Sequence, residues 1–128
     1  MIKLHMIAAV ALKTNAIGLN GELPWKNSDD LRVFKKITDN SVLIVGKRTA
    51  EKLPELPNRT LFIWDGKQDP EDFLSNLIQE GITVAWLCGG AHTYASFAHL
   101  VNGNRIINYI DYDGEYDSVF PMESYNIK

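Results

Sequence analysis

The chain predicts an α/β fold, a mostly parallel central sheet flanked by helices on both faces. Three observations predict it. Strand-like apolar runs alternate with helical segments along all 128 residues. The run Met6-Ile7-Ala8-Ala9-Val10-Ala11-Leu12 is apolar without a break, as expected of a central strand buried on both sides. Two further runs end on glycines that open helices, at Gly46 and at Gly89-Gly90.

The first strand is expected over Leu4 to Leu12. Lys13 to Lys26 reads as a loop, with Asn15, Gly18, Asn20, Gly21 and Pro24 as turn residues, and it is long for a mere connection. Ser28 stands as an N-cap, and Asp29 and Asp30 lie favourably in the first turn against the helix dipole. Leu31, Phe34, Lys35 and Thr38 then share one side of that helix. Val42 to Val45 is a short buried strand running through Gly46 into a helix over Lys47 to Leu53, stopped by Pro54. Thr60 to Trp64 is the next strand. Asp69 caps a helix with Pro70 at its first position and Phe73, Leu74, Leu77 and Ile78 as its apolar stripe. Gly81 ends that helix, Ile82 to Cys88 is a strand, a helix follows over Ala91 to Leu100, and Asn104 to Tyr112 is the last strand. No repeat or linker divides the chain, so one domain over 1–128 is expected.

Composition narrows the function. Apolar residues make up 45% and charged residues 23%, the balance of a globular protein. The net charge of −3, with basic residues scattered among acids, offers no stripe for nucleic acid. The seven-residue run at Met6 is too short to span a bilayer and lacks the features of a signal peptide, so a cytoplasmic protein with no membrane partner is expected. The single Cys88 forms no internal disulfide, and His5, His92 and His99 lack zinc-site spacing, so no metal is expected.

Sites in parallel α/β sheets lie beyond the carboxyl ends of the strands, which gathers the Lys13 to Lys26 loop, Gly46 to Thr49 and Gly89 to Tyr94 around one crevice. Gly46-Lys47-Arg48-Thr49 sets backbone donors, a hydroxyl and two cations at a helix start, suited to a phosphate or equally to a solvated surface. Gly89-Gly90 permits close approach of a ligand to the backbone or serves as a simple turn. Asp30 is either an exposed helical acid or a buried functional one. No G-x-G-x-x-G fingerprint is present.

Taken in order, these segments resemble dihydrofolate reductases. Ile17-Gly18-Leu19-Asn20-Gly21-Glu22-Leu23-Pro24-Trp25, followed by Asp30-Leu31 and Val33-Phe34-Lys35, is similar to the family's mobile loop, Pro-Trp pair and acidic residue. Gly46-Lys47-Arg48-Thr49, Leu56-Pro57-Asn58-Arg59, Gly89-Gly90 with Tyr94 and Phe97, Ile110-Asp111 and Phe120-Pro121 follow in the family's order, covering residues 3 to 121 or so. The resemblance implies reduction of 7,8-dihydrofolate to tetrahydrofolate by hydride from NADPH. It implies Asp30, Tyr94 and Trp25 as catalytic residues, and Ile7, Ala8, Asp30, Leu31, Phe34, Leu53, Arg59 and Asn108 as substrate-binding residues, with Arg59 receiving the substrate's glutamate carboxylate. It assigns the cofactor to Ala9, Ile17, Gly18, Gly46, Lys47, Arg48, Thr49, Cys88, Gly89, Gly90, Ala91, His92, Thr93 and Tyr94. Antifolates such as methotrexate or trimethoprim become candidate ligands, and the protein is expected as a monomer or homodimer.

The chain departs from the family pattern in places. It is short between Trp64 and Ile82, and the C-terminal hairpin is expected to be reduced or absent. Trp64-Asp65 stands where many members place small hydroxyl residues, His92 where an arginine is common, and Asn108 where a threonine usually bonds the acid. Two other functions fit the same sequence: a reductase of another pterin or pyrimidine substrate, and a non-catalytic binding or structural protein on this fold.

Overall fold

A computed structural model describes residues 1–25, 28–53 and 56–127, without the side chains of Ser28, Asp29 and Asp30. The expected stop at Pro54, the caps at Ser28 and Asp29, and the end of the long loop at Lys26 therefore lie outside what is described. Strand β1 (Lys3–Ala11) is the hub of the sheet. Leu4, Met6, Ala8 and Val10 point to one side and Ile7 and Ala11 to the other, all buried, as the unbroken apolar run predicts. The strand stops one residue earlier than expected. Leu12 still donates its N–H to the Ile110 carbonyl (2.9 Å), but its side chain is 59% exposed.

The other sheet strands are β3 (Val42–Gly46), β4 (Thr60–Trp64), β5 (Val84–Leu87) and β6 (Arg105–Ile110), in the order β4-β3-β5-β1-β6 and all parallel. The helices between them are α1 (Ser28–Ile37), α2 (Lys47–Lys52), α3 (Pro70–Gln79) and α4 (Ala91–Phe97). Right-handed crossovers fix their sides. The steps from β1 to β3 and from β3 to β4 run one way across the sheet, which sets α1 and α2 on one face. The steps from β4 to β5 and from β5 to β6 run the other way, which sets α3 and α4 on the opposite face. On the latter face Phe73, Leu74, Leu77 and Phe97 join Leu4, Met6, Ile44, Leu87 and Trp64 in the main core. Phe97 meets both Trp64 and Phe73 edge-on, at 5.2 and 5.9 Å.

Helix α3 forms as its sequence dictates. The Asp69 side chain accepts from Asp72 N–H (3.2 Å) with Pro70 at the first position. Gly81, at φ +87°, closes the helix as Ile82 N–H returns to the Leu77 carbonyl (3.1 Å). Ile78 is largely exposed and does not join the apolar stripe. The expected helix to Leu100 is α-helical only to Phe97 and tightens to a 3-10 turn over Ala98–Leu100.

The long loop after β1 contains an element that its residues did not announce: β2 (Ala16–Gly18), paired antiparallel with β7 (Ser118–Val119). This is what remains of a C-terminal return. Asp117 N–H bonds the Gly18 carbonyl (2.9 Å) and Phe120 N–H the Asn15 carbonyl (2.8 Å). Phe120 and Tyr125, the latter in a 3-10 turn over Met122–Tyr125, enter the main core. The reduced hairpin is thus observed: among the described residues no strand pairs with the outer side of β6. Nor, among them, is any helix long and apolar enough to cross a membrane.

Phe120→Ala should cost about 3–5 kcal/mol, the range for losing a buried phenyl ring, and should strip hydrogen-exchange protection from the Asp117 and Phe120 amides. Urea unfolding with exchange mass spectrometry checks both. A second expectation concerns pH. His5 stacks on Trp86 (4.6 Å) and its Nδ1 accepts the Asn104 N–H (2.8 Å), a role only the neutral ring can fill. Burial, and then the Lys3 charge, lowers its pKa from 6.5. The unfolded chain therefore protonates first, so this stability is present above pH 6.5 and declines as pH falls below it. Unfolding free energies of wild type and His5→Gln between pH 8 and 5 should show a flatter acid limb in the variant.

Candidate active site

The chain leaves β1 toward β3 on one side, whereas it leaves β5 across β1 toward β6 on the other, so the crevice of this sheet opens at the carboxyl ends of β5 and β1. The two strands end at different heights. Strand β5 stops at Leu87, opposite Met6, while β1 continues through Ala11. Odd-numbered residues of β1 turn their backbone toward β5, as the Lys3 N–H to Thr83 carbonyl bond shows (2.8 Å). Past Leu87 the carbonyl of Ile7 has no strand to meet, and the buried hydroxyl of Tyr94 donates to it instead, at 2.8 Å.

The ends of β3 and β5 are drawn together beside this point. Gly46 N–H bonds the Gly89 carbonyl (2.7 Å), Cys88 N–H the Ile44 carbonyl (2.9 Å), and Tyr94 N–H the Gly90 carbonyl (2.8 Å). The glycines are needed sterically: Gly89 sits at φ +112°, and a Cβ on Gly46 would lie 2.5 Å from the Thr93 hydroxyl. The expected cofactor residues Gly46, Thr49, Gly89, Gly90, Ala91, Thr93 and Tyr94 are therefore neighbours, with Lys47 and Arg48 exposed beside them. The Arg48 guanidinium reaches the Gly21 turn. Backbone groups, hydroxyls and two cations with no ion-pair partner among the described residues form a donor set that fits a diphosphate. Ile17 and Gly18 are buried in β2, and Ile17 belongs to the main core. Cys88 donates its thiol to the Trp86 carbonyl (3.4 Å), and burial pushes its pKa up, so it offers backbone rather than a thiolate.

Trp64, in register with Gly46, turns to the α3/α4 face, where the ring is buried and its Nε1 donates to the Gln68 carbonyl (2.8 Å). His92 lies stacked on that ring (5.1 Å) and within 3.3 Å of the Gly66 carbonyl. Asp65 accepts from the N–H groups of Lys67 and Gln68, at 2.8 and 2.9 Å, and these bonds hold its carboxyl below the usual range.

On the α1 side of the sheet, Ile7 and Ala9 line β1, and Asn108 of β6 stands directly beside Ala9. Ala8 points the other way, into the main core, so only its backbone reaches the crevice. Trp25 closes this side. It is 9% exposed and packs with Ala11, Ala16, Ile110 and Tyr112, and among the described residues its buried Nε1 has no acceptor. Leu31 and Phe34 are half-buried on α1, and Leu53 at the end of α2 is similarly placed. Asp30 is placed by its backbone alone, in the first turn of α1; its side chain lies outside the described residues. Arg59 is drawn out of solvent by its neighbours. Its side chain is only 5% exposed, with Nε on the Thr38 hydroxyl (3.3 Å), one terminal nitrogen on the Pro57 carbonyl (2.7 Å) and the other on the Lys35 carbonyl. Thr38, buried and donating to the Phe34 carbonyl (2.8 Å), is the brace for Arg59 that sequence reasoning missed as such.

Over residues 3–126 the chain matches the family described as dihydrofolate reductase. The chain belongs to the dihydrofolate reductase family. It is 48% identical over 60 residues to the type 9 dihydrofolate reductase of Escherichia coli, a stretch covering 46% of this chain and 33% of that relative. To the dihydromethanopterin reductase of Methylorubrum extorquens it is 32% identical over 128 residues, 94% of this chain and 91% of the relative. A dihydrofolate reductase from Enterococcus faecalis, solved as a complex with NADP(H) and RAB-propyl, superposes with a TM-score of 0.77 at 26% identity, over 93% of this chain and 77% of that one.

The family's glycine turns depend here on a specific clearance, and it can be tested. Gly46→Ala should destabilise the fold by about 1–3 kcal/mol through overpacking against Thr93, and Thr93→Ala in the same chain should recover most of that loss. Thermal melts of the single and double variants measure it; additive losses would contradict the predicted contact.

Proposed function

We propose that the chain, acting as one domain over 1–128, reduces 7,8-dihydrofolate to tetrahydrofolate with NADPH. The observation that supports this reading is the joining of the strand ends in a chain of the dihydrofolate reductase family: the Gly46 N–H bond to the Gly89 carbonyl, and the Tyr94 hydroxyl bond to Ile7 at the carboxyl end of β1. NADPH supplies the hydride. Gly46 to Thr49 and Gly89 to Tyr94 hold it, with Lys47 and Arg48 free to pair with phosphate. Tyr94, fixed by its hydroxyl to Ile7, walls the reacting ring, and the Ile17-Gly18 segment flanks the nicotinamide end.

On the substrate side, Asp30 accepts the paired N–H donors of the pterin edge and favours protonation of the ring nitrogen beside the carbon that receives hydride. Ile7, Ala9, Leu31 and Phe34 exclude water from that pair, which strengthens it. Trp25 directs its unpartnered Nε1–H toward the bound molecule or an ordered water. Leu53 and Phe34 flank the benzoyl group. Arg59, held by Thr38 and two carbonyls, is preorganised for a carboxylate at the far end of the substrate. The same pocket is the place for antifolates. A second reading is favoured by the 32% identity to dihydromethanopterin reductase over nearly its whole length: reduction of a dihydropterin with a different tail. The ring chemistry is shared, and the two readings part at Arg59.

Loss of absorbance at 340 nm with dihydrofolate and NADPH tests the activity, and kcat/KM for dihydrofolate against a dihydropterin lacking the glutamate tail separates the readings. Under the dihydrofolate reading Arg59→Gln raises KM for dihydrofolate alone. Asp30→Asn should keep the fold, since asparagine has nearly the same volume, but lose at least about a hundredfold in kcat/KM near neutral pH, the scale of acid–base assistance. Part of the activity should return at lower pH, where substrate is protonated in solution. A folded variant with wild-type turnover across pH 5 to 8 would exclude the role given to Asp30. NADPH should be preferred to NADH, and Lys47→Ala/Arg48→Ala should erase that preference.

A further inference from the structure

The C-terminal turn ends in a buried polar contact with the residue at the centre of the crevice. Tyr125 is 2% exposed, and its hydroxyl donates to the Tyr94 carbonyl at 2.8 Å. That carbonyl lies in the last turn of α4, where the helix tightens and Ala98 N–H turns to the Ala95 carbonyl, so carbonyls there look for donors outside the helix. Phe120 fills the space between the two tyrosines, 5.0 Å from Tyr94 and 5.2 Å from Tyr125. From the other side, Arg105 at the start of β6 donates to the Tyr125 carbonyl (2.8 Å) and sets its guanidinium 5.9 Å over the Tyr125 ring.

We propose that Tyr125 is a positioning residue for the reaction: it fixes the Tyr94 backbone, and through it the ring and the hydroxyl bond to Ile7. This rests on the reductase reading above. Packing alone does not require the hydroxyl, since a phenylalanine would fill the same volume and would bury no polar atom. Burial pushes the Tyr125 phenol well up, so it stays a donor throughout the working pH range. Each polar group of its target is engaged: Tyr94 N–H is on Gly90, its carbonyl is on Tyr125, and its hydroxyl is on Ile7. Releasing the carbonyl lets the middle of α4 shift relative to β1, and hydride transfer is steeply sensitive to such misplacement.

The experiment is a double-mutant cycle in the full chain with dihydrofolate and NADPH. Tyr125→Phe should lower kcat by about fivefold with KM for dihydrofolate changed less than about twofold. In a Tyr94→Phe background the same change should cost less than about twofold, because the hydroxyl it serves is already gone. Arg105→Gln, an exposed residue that anchors Tyr125, should act in the same direction but more weakly, and it serves if Tyr125→Phe folds poorly. The Tyr94 resonance in 13C-tyrosine-labelled protein should move in both variants. Unchanged rates overturn the proposal, as does an equal loss in both backgrounds, which marks general destabilisation. If the wild type does not reduce dihydrofolate, the reductase reading fails separately. The Tyr94 resonance then decides the brace: movement supports it and an unmoved signal overturns it.

Discussion

Strand β1 outruns strand β5, and the bond from the Tyr94 hydroxyl to the Ile7 carbonyl is the consequence on which the site depends. Two parallel strands of equal length would satisfy each other's backbone and leave a closed ladder at the switch point. Because β5 stops opposite Met6, the backbone of Ile7 must be met by something else, and the chain brings a tyrosine from the first turn of α4. That single bond does two things. It satisfies a buried carbonyl that would otherwise cost about 1–3 kcal/mol, and it fixes a large ring beside the glycine turn where the backbone is most open to a ligand.

The glycine turns follow from the same geometry. For α4 to start close enough to β1, the end of β5 must pass against the end of β3, and the Gly46 N–H to Gly89 carbonyl bond is that contact. A side chain on Gly46 would meet Thr93, which is itself buried in α4, so the strand ends, the helix start and the tyrosine form one interlocked unit. The segment after β6 supports that unit from behind: Phe120 and Tyr125 cover the back of Tyr94, and β7 ties them to β2.

The sequence makes some of this legible and hides the rest for physical reasons. The apolar run at Met6, the cap at Asp69 and Pro70, and the glycines after β3 and β5 are local signals, decided within a few residues, and the folded chain follows them. Strands β2 and β7 are three and two residues long and depend on a partner about a hundred residues away, so no periodicity reveals them. The short strand around Trp64 does not reveal by itself which face the indole takes; pairing with β3 puts it on the side of Ile44, in the core. What holds Arg59 is not local: Thr38, the Lys35 and Pro57 carbonyls and the Asp39 carboxylate at 3.8 Å come together only in the fold. Asp30 is singled out by its motif alone: its backbone stands in the first turn of α1, and its carboxylate lies outside the described side chains.

The register of β3 and β4 also bears on how an acidic residue can stand near a phosphate site. Gly46 pairs with Trp64, so Asp65 and Lys47 leave adjacent strand ends side by side. An unengaged carboxylate there would accept from a ribose hydroxyl and repel an additional phosphate. Asp65 is not unengaged: Oδ1 receives the Lys67 and Gln68 N–H groups, which form the turn leading to Asp69 and α3. These donors spread part of its charge into the turn and fix the side chain away from a free rotamer, while Lys67 adds a cation to the same turn. Lys47 and Arg48 stand exposed at the start of α2, beside this turn. A carboxylate committed to its own turn beside two exposed cations is compatible with a phosphate-bearing ligand at the end of β3.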